Sequence, residues 1–499
     1  MLCALCACPL RRVSAVSYDP QNMRQGTRSL SFACIAVGAF ALALSAYAAA
    51  RPRRNQPATP RQIQHLPTPS PPSTLASVPP MGWNSWDSFG EAVTDSDIRA
   101  NARAMARRLK PFGWQYVTVD MGWYVQNHAA ENNGGKIEFS IDSFGRYTPA
   151  VNAFPSATSN QGFKPLADFV HSLGLKFGIH ILQGIPRVAV ERNLPIAGSP
   201  YHAADAAVTS DTCPWNSFNY GLNPSSPAAQ AYYNSILQLY ASWGVDFLKV
   251  DCIASRPYKG TDIRMIAAAI RKTSRSIIMS LSPGPAPLDK ADELEGYAQM
   301  WRISDDIWDI WHSTKVFPQG PGNQFARAEW EKYTGPGHWP DADMLPLGEL
   351  QPAPGWGKPR ASRLTRDEQR TLITLWSIFR SPLIMGGNLT MLDDWTASLL
   401  TNPEVIAVDQ QSRDNHAIVN ANGVAVWVAR PETGNGSYIA LFNLHDSPQK
   451  VSYSWNGLGL NGAKYNLRDL WQRKNLGPAG ALALNLPPHG CAIYRVTPP

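Results

Sequence analysis

Once a basic N-terminal segment is set aside, the sequence lacks net charge. Of the formal net charge of +7, residues 1–50 contribute +3 and residues 51–62 contribute +4, so residues 63–499 carry a formal net charge of zero. A protein that binds nucleic acid is expected to carry a positive stripe on its folded surface. The neutral body therefore argues against nucleic acid as a partner.

Cysteine is also scarce. Four of the seven cysteines lie in the first 48 residues, and only Cys213, Cys252 and Cys491 follow them. An odd number excludes complete pairing, so we expect at least one free thiol in an oxidising compartment. Internal repeats and heptad runs are missing as well, which excludes a repeat array and a long coiled coil.

A long apolar run is present near the N-terminus, from about residue 30 to residue 50. Arg24 and Arg28 precede it, and it ends in Ala46-Tyr47-Ala48, a small-x-small cleavage site. This pattern predicts a secretory signal peptide over residues 1–48, with Met23 as the expected start, and a secreted or periplasmic mature protein without membrane attachment. The alternative is an uncleaved anchor, for which the run is barely long enough.

The remaining chain divides into three parts. Residues 49–79 are rich in proline and polar residues and predict an extended linker. Over residues 80–409, strand-like and helix-like segments alternate, and the count of strands predicts a (β/α)₈ barrel. The predicted strands are Gly82 to Trp86, Gln115 to Asp120, Lys176 to Ile181, Asp246 to Asp251, Ser276 to Ser282, Met300 to Asp305, Trp339 to Met344 and Pro382 to Gly386.

The sequence pattern changes after about residue 409. Short alternating runs punctuated by Gly, Asn and Pro predict an antiparallel β-sandwich over residues 410–499. The predicted strands here are Val424 to Ala429, Tyr438 to Phe442, Val451 to Tyr453 and Ala492 to Val496. Helices are predicted in the barrel, including one that opens with a capping box at Thr94 to Asp97.

The most informative segment runs from Phe247 to Asp251. Strand residues alternate between two faces, so Lys249 and Asp251 point to the same side. A nearby ammonium group holds the carboxylate ionised, as a nucleophile requires. The segment Trp301 to Asp306 supplies a second carboxylate. Two carboxylates, one charged and one protonated, are the minimum equipment for cleaving a glycosidic bond.

The chain resembles the family-27 glycoside hydrolases, melibiase-like retaining α-galactosidases, over roughly residues 80 to 499. The resembling segments occur in the family's order and are Met81 to Trp86, the strand ending at Asp120, Gly174 to Ile179, Trp243 to Asp251, Trp301 to Asp306 and Trp339 to Leu345. The resemblance implies a barrel followed by a sandwich, an oligosaccharide or glycan as substrate, and no cofactor. It also implies that segment 338–343 is structural, although His338, Asp341 and Asp343 have the composition of a metal site.

The family's pattern assigns roles to individual residues. It implies that Asp251 is the nucleophile, that Lys249 binds the sugar, and that Asp306 is the acid and base. Pleating also favours Asp306 over Asp305, because Asp306 would share a strand face with Arg302. Arg302 would bind a sugar hydroxyl or stabilise negative charge. Retention would require the two catalytic carboxyl groups to lie about 5–5.5 Å apart.

Other family features are present in altered form. Trp86 matches the aromatic wall of the sugar subsite, and Asp120 matches the first of two adjacent aspartates that grip hydroxyls at the far end of galactose. Met121 stands where the family has the second aspartate, which reads the axial 4-hydroxyl. A thioether is a weak acceptor and does not replace a charged hydrogen bond of about 1.5–3 kcal/mol.

Three more positions depart from the family. His180 replaces a tyrosine, and Ser282-Pro283 replaces a Glu-Trp pair that approaches the 2-position of the sugar; a small residue there resembles the N-acetylgalactosaminidase branch. The family often has a disulfide near the nucleophile, and a Cys213–Cys252 bridge is one option, with unpaired thiols as the other.

These observations predict a retaining exo-glycosidase for terminal α-D-galactosides. The alternatives on the same scaffold are an α-N-acetylgalactosaminidase, a β-L-arabinopyranosidase and an isomaltose-releasing dextranase. A non-catalytic carbohydrate-binding protein is the alternative from another class. The sequence carries no signal for an oligomeric state.

Overall fold

The computed structural model describes residues 75–128, 134–312, 320–350 and 358–499. The predicted signal peptide and residues 49–74 of the predicted linker lie outside this part of the chain. None of the helices within the described residues is both long enough and apolar enough to cross a bilayer.

Eight parallel strands form the first layer of the fold. In chain order they are β1 (Met81–Asn84), β2 (Tyr116–Val119), β3 (Lys176–Leu182), β4 (Phe247–Asp251), β5 (Ile278–Leu281), β6 (Met300–Arg302), β7 (Trp339–Asp341) and β8 (Leu383–Met385). Their order in the sheet is β7-β6-β5-β4-β3-β2-β1-β8. Leu345, just after β7, pairs in parallel with Met385 of β8 and links the two ends of the sheet. The predicted barrel is confirmed.

The strands are short. They are apolar and buried because helices cover the outside of the sheet. Each of the eight predicted strands is present but most are shorter than predicted. The α-helices of the described residues are Trp86–Phe89, Asp95–Arg108, Lys164–Ser172, Arg187–Glu191, Ala203–Ala206, Pro227–Trp243, Gly260–Lys272, Ala291–Tyr297, Arg366–Phe379, Asp394–Leu400 and Pro403–Gln410, and a 3₁₀ segment spans Pro321–Tyr333.

Local sequence explains the start of the helix Asp95–Arg108. The hydroxyl of Thr94 accepts from the amide of Asp97, and the Asp97 carboxylate accepts from the amide of Thr94, which completes the predicted capping box. Ile98, Ala102 and Met105 recur at helical spacing and are fully buried. The helix therefore packs its apolar face on the sheet, as its sequence predicts.

The predicted C-terminal sandwich is also confirmed. Its strands are β9 (Ser412–Ala421), β10 (Val424–Pro431), β11 (Ser437–Asn443), β12 (Gln449–Ser454), β13 (Tyr465–Asp469), β14 (Lys474–Ala479), β15 (Ala481–Leu486) and β16 (Cys491–Thr497). One sheet has the order β9-β10-β11-β16-β13-β14, and β12 pairs with β15 in the other. Their inner faces enclose a core that includes Val426, Ile439, Leu441, Val451 and Leu482.

Four of these strands were not predicted. β9 and β14 lie at the two edges of the larger sheet, where most of their side chains are partly or fully exposed. Polar and small residues therefore suffice there, and the alternation that marks a half-buried strand is weak. β13 and β15 are similarly exposed over part of their length.

The helix Arg366–Phe379 is buried on nearly all sides because the sandwich covers the face that a barrel helix usually turns to solvent. Thr371 donates to the carbonyl of His489 at 2.7 Å, and Trp471 donates to the hydroxyl of Thr374 at 2.9 Å. The thiol of Cys491 is unpaired and lies 3.2 Å from the Thr374 hydroxyl. The expectation of a free thiol is thus met by Cys491.

A β-hairpin of strands Ala207–Cys213 and Asn216–Leu222 follows β3 and pairs with the short strand Ile185–Pro186. A disulfide joins Cys213 at the hairpin tip to Cys252, the residue after β4. Of the two options that the sequence allowed, a Cys213–Cys252 disulfide or unpaired thiols, the structure has the disulfide.

Candidate active site

A cavity of about 480 Å³ opens at the carboxyl ends of the barrel strands. This is the end of a parallel barrel where active sites lie, and the volume suits a small ligand. The residues that line it come from the ends of several strands and from the loops that follow them: Trp86, Glu91, Asp120, Met121, Trp215, Asn216, Lys249, Asp251, Arg256, Ser282, Pro283, Asp305, Asp306 and Met344.

Asp251 is the last residue of β4 and is 9% exposed. The amide of Cys252 donates to its Oδ1 at 3.1 Å, and Nε2 of His180 lies 3.2 Å from its Oδ2. Burial by itself raises the pKa of Asp251, but the hydrogen bond from His180 and the charge of Lys249 outweigh burial and set the pKa below its ordinary value. Asp251 is therefore ionised, as the sequence argument requires.

His180 lies behind Asp251, inside β3, and is completely buried. Its Nδ1 has no hydrogen-bond partner among the described residues, whereas its Nε2 faces the carboxylate. Since a carboxylate only accepts, the network assigns the ring proton to Nε2. His180 does not line the cavity, so the structure places it against Asp251 and not against the expected substrate.

We expect His180→Phe to move the acidic limb of the kcat/KM profile to higher pH. The family's pattern makes Asp251 a nucleophile that would react in its ionised form. Loss of the Nε2 donor raises the pKa of Asp251, so activity would then be lost at a higher pH as the solution is acidified. A hydrogen bond to a charged group contributes about 1.5–3 kcal/mol, so we expect kcat/KM on the acidic side of the profile to fall about 10- to 100-fold relative to the wild type. Steady-state rates between pH 3 and pH 7 on the same glycoside provide the measurement.

The matched control is His180→Tyr, which restores the residue that the family usually has and keeps a donor. We expect it to recover part of the rate and to return the acidic limb toward its original position. An acidic limb that stays in place in His180→Phe would remove the assigned role of His180.

Lys249 and Asp120 form a buried ion pair on the floor of the cavity. The Lys249 ammonium donates to Oδ2 of Asp120 at 2.8 Å, and the side-chain amide of Asn84 donates to the same oxygen at 2.6 Å. Burial alone would raise the pKa of Asp120, yet Lys249 and His180 hold it well below its ordinary value. The direct partner of Lys249 is thus Asp120, and Lys249 acts on Asp251 through its charge.

Asp305 and Asp306 both line the cavity, which the pleat argument did not anticipate. β6 ends at Arg302, so the alternation of faces does not continue to these residues. Asp305 is 8% exposed and pairs with Arg256. The side chain of Asp306 is 46% exposed, and its Oδ1 accepts from Arg302 at 3.2 Å. Asp306 is therefore the more open of the two carboxylates.

Arg302 lies behind the cavity and not on its wall. Its guanidinium is 3% exposed and contacts Oδ1 of Asp343 at 2.8 Å in addition to Asp306. Burial raises the pKa of Asp343 to about 7, and the neighbouring carboxylates Asp306 and Asp341 add to that rise, although Arg302 opposes it. Arg302 therefore contacts Asp306 from the buried side of the cavity wall and helps to position its carboxylate.

The candidate metal residues have separate partners. Nδ1 of His338 lies 2.9 Å from the carbonyl of Tyr333 and 3.3 Å from Glu295. Asp343 is engaged by Arg302, as described above. Within the described residues, no group of three or more His, Cys, Asp or Glu side chains is arranged to hold a metal ion.

The remaining predicted residues form the walls. Trp86 opens the short helix after β1, and Ser282 follows β5; both residues line the cavity. Met121 follows Asp120 and is 7% exposed, and its sulfur lies 3.8 Å from the side-chain nitrogen of Asn216. One end of the cavity therefore presents a thioether beside the carboxylate of Asp120.

Sequence reasoning missed several lining residues, among them Glu91, Trp215, Asn216 and Arg256. Arg256 lies in the loop after β4, Trp215 and Asn216 lie at the hairpin tip, and Glu91 lies in the short 3₁₀ helix Gly90–Ala92. Strand periodicity carries no information at these places. The position of Trp215 and Asn216 just after Cys213 is a usable signal in retrospect, because the disulfide draws that segment to the residue beside Asp251.

Comparisons with known proteins agree with this geometry. The family model described as alpha galactosidase A matches residues 221–411, and the model of the alpha galactosidase C-terminal beta sandwich domain matches residues 421–496. The crystal structure of a family-27 β-L-arabinopyranosidase from Geobacillus stearothermophilus is 45% identical, covers 85% of this chain and 97% of its own, and superposes with a TM-score of 0.79.

Curated relatives are more distant in sequence. An alpha-galactosidase from Oryza sativa subsp. japonica is 29% identical over 434 residues, which span 85% of this chain and 86% of the rice protein. An alpha-N-acetylgalactosaminidase from Homo sapiens is 27% identical over 418 residues, which span 80% of this chain and 85% of the human protein.

A parallel barrel with ionised and open carboxylates in one cavity, followed by a β-sandwich, and this set of relatives define a glycoside hydrolase. Within that class, the chain belongs to glycoside hydrolase family 27, the melibiase-like family.

Proposed function

We propose that this protein is a retaining exo-glycosidase that releases a terminal β-L-arabinopyranosyl group, with terminal α-D-galactosyl groups as the second choice. Asp251 would attack the anomeric carbon while Asp306 protonates the departing glycosidic oxygen. Water would then attack the same carbon, return its proton to Asp306 and free the Asp251 carboxylate.

The observation that carries the reaction type is the pair of carboxylates in one cavity of a size that suits a monosaccharide. Asp251 is buried and ionised, as befits a nucleophile. Asp306 is half exposed, which gives a leaving group and then a water molecule access to it. Lys249 and Asp120 are positioned to bind sugar hydroxyls from the floor of the cavity.

The choice of sugar rests on Met121. β-L-Arabinopyranose has the ring configuration of α-D-galactose but carries no hydroxymethyl group. In galactose that group lies next to the axial 4-hydroxyl, at the end of the ring that the family's two aspartates bind. The family's pattern assigns the axial 4-hydroxyl to the residue at position 121, but both sugars carry that hydroxyl, and in this protein Asp120 is the carboxylate left to bind it. The hydroxymethyl oxygen of galactose would then face the Met121 thioether and lack a strong acceptor.

Similarity supports the same choice, since the β-L-arabinopyranosidase is 45% identical and the rice alpha-galactosidase 29%. α-Galactosidase activity is the second candidate because Asp120 and Lys249 are retained. The small Ser282, with room for a substituent on the 2-position, makes an N-acetylgalactosaminide a useful member of any substrate panel.

The test is hydrolysis of a panel of 4-nitrophenyl glycosides by one purified sample, with NMR of the first product anomer. We expect the β-L-arabinopyranoside to have the highest kcat/KM, the α-D-galactoside to come next, and the anomeric configuration to be retained. A highest rate on the α-N-acetylgalactosaminide would reassign the sugar, and an inverted product would exclude the covalent intermediate.

Export of the enzyme is part of the proposal. The predicted signal peptide supports it, and so does the Cys213–Cys252 disulfide, because such bonds persist in oxidising compartments.

A further inference from the structure

We propose that Trp215 is a stacking platform for the leaving group, and that the natural leaving group is itself a pyranose ring. This inference rests on the proposed exo-glycosidase function and deepens it, because it identifies the class of group to which the terminal sugar is attached.

The exposure of the lining residues differs between the floor and the mouth of the cavity, and this difference separates the place of the terminal sugar from that of the leaving group. Asp120, Met121, Asp251 and Ser282 are 9% exposed or less and form the floor. Asp306 and Trp215 stand at the mouth, since the Asp306 side chain is 46% exposed and Trp215 is 48% exposed. An exo-glycosidase buries the terminal sugar and leaves the remainder of the substrate at the mouth. The leaving group must therefore pass beside Asp306, and Trp215 shares that rim.

Tryptophan is on average highly buried, and Trp215 departs from that tendency. Among the tryptophans that the structure describes, Trp215 is the most exposed, and the others are buried or partly buried. An indole face in water contributes nothing to folding, whereas a flat ring beside a sugar cavity packs well on the apolar face of a pyranose. Because Trp215 lies at the rim of the cavity, a sugar bound there is the ligand that its exposed ring would contact.

The platform is rigid because the hairpin that carries it is fixed at several points. Trp215 lies in the two-residue turn between the hairpin strands, directly after the disulfide-bonded Cys213 and Pro214. Lys259, 9% exposed, contacts both carboxylate oxygens of Asp211 at 2.7 Å and ties down the first strand. The buried Asn216 accepts from the amide of Phe218 at 2.8 Å. These contacts fix the backbone of the turn that carries Trp215, which lowers the cost of ordering the indole when it binds a partner.

The experiment compares substrates that share a terminal sugar and differ in the leaving group. The terminal sugar is whichever the wild-type enzyme prefers, and the leaving groups are 4-nitrophenol, a second pyranose and methanol. For Trp215→Ala we expect kcat/KM to fall about tenfold on the nitrophenyl glycoside and the disaccharide, and less than twofold on the methyl glycoside. The inhibition constant of the free monosaccharide should change by less than about twofold, because the buried floor is intact.

Two variants complete the design. Trp215→Phe keeps a ring and should recover most of the loss. Phe144→Ala removes another exposed aromatic side chain, 37% exposed and absent from the cavity wall, and should behave as the wild type on all three substrates.

The inference is overturned if Trp215→Ala lowers kcat/KM equally on all three substrates, or if it weakens inhibition by the free monosaccharide to the same extent. Either result would make Trp215 a contact of the terminal sugar. A tenfold loss on the nitrophenyl glycoside with none on the disaccharide would overturn the pyranose assignment. The proposed function has its own test, which is the loss of hydrolysis in an Asp251 variant. That test does not depend on the outcome for Trp215.

Discussion

Asp251→Ala is expected to lower kcat by at least about 10⁴-fold, the scale on which removal of a nucleophile acts. The carboxylate accepts from His180 and from the amide of Cys252, and it is ionised on the buried floor of the cavity. Initial rates on an activated nitrophenyl glycoside, at the pH optimum of the wild-type enzyme, provide the measurement.

Azide distinguishes the nucleophile from its partner. In Asp251→Ala, azide can occupy the vacated space and attack the glycoside directly, so the glycosyl azide should have the inverted configuration. In Asp306→Ala the covalent intermediate still forms from a good leaving group, and azide should then intercept it with net retention. Asp305→Asn is the matched control, since Asp305 also lines the cavity but pairs with Arg256. It should give the same product as the wild type, and no azide adduct.

An Asp251→Ala variant that keeps a rate within tenfold of the wild type would contradict the mechanism. Such a result would instead favour another nucleophile in the cavity. Circular dichroism and thermal melting of the purified variants establish that each remains folded before its rate is interpreted.

The barrel was predictable because its strands are apolar runs that end in polar residues. In β4 the segment Phe247 to Asp251 combines apolar side chains with Lys249 and Asp251 on one face, and both side chains do line the cavity. The capping box at Thr94 was predictable for a similar reason, because its hydrogen bonds are local. Features that depend on a few consecutive residues survive folding without change.

The details of the site depend on where elements end and on contacts between distant residues. β6 stops at Arg302, three residues earlier than predicted, so the alternation of faces does not extend to Asp305 and Asp306, and both line the cavity. Lys249 shares its strand face with Asp251 but bonds to Asp120, 129 residues away. Strand periodicity indicates which way a side chain points, but not which partner it meets.

Trp215 illustrates the remaining gap. One tryptophan among 17 has no sequence pattern that marks it as exposed. Its position follows from a disulfide between residues 39 apart and from the ion pair of Asp211 with Lys259. Such long-range constraints are invisible to periodicity, and the polar edge strands of the sandwich were missed for a related reason, since tertiary position decides how much of a strand must be apolar.

Met121→Asp is expected to change the preferred sugar. The new carboxylate would offer the galactose hydroxymethyl group the acceptor that the thioether lacks, which is a charged hydrogen bond of about 1.5–3 kcal/mol. The ratio of kcat/KM on the α-D-galactoside to that on the β-L-arabinopyranoside should therefore rise about 10- to 100-fold. Both rates are measured on nitrophenyl glycosides so that the leaving group is constant.

Met121→Asp should also lower the rate on the β-L-arabinopyranoside. With an arabinopyranoside bound, no hydroxymethyl group meets the new carboxylate, which would lie buried beside Asp120 and share the ammonium of Lys249 with it. The rate on the arabinopyranoside should fall for that reason. Asn216, whose side-chain nitrogen lies 3.8 Å from the sulfur of Met121, gives the carboxylate one donor and limits the cost to stability.

Met121→Leu is the matched control because it keeps an apolar side chain of similar volume. It should leave the ratio of the two rates within about twofold of the wild type, although both rates can fall slightly as the packing adjusts. If Met121→Asp instead lowered both rates by the same factor, the side chain at this position would not contact the end of the ring where the two sugars differ, and the preference for an arabinopyranoside would need another origin within the cavity.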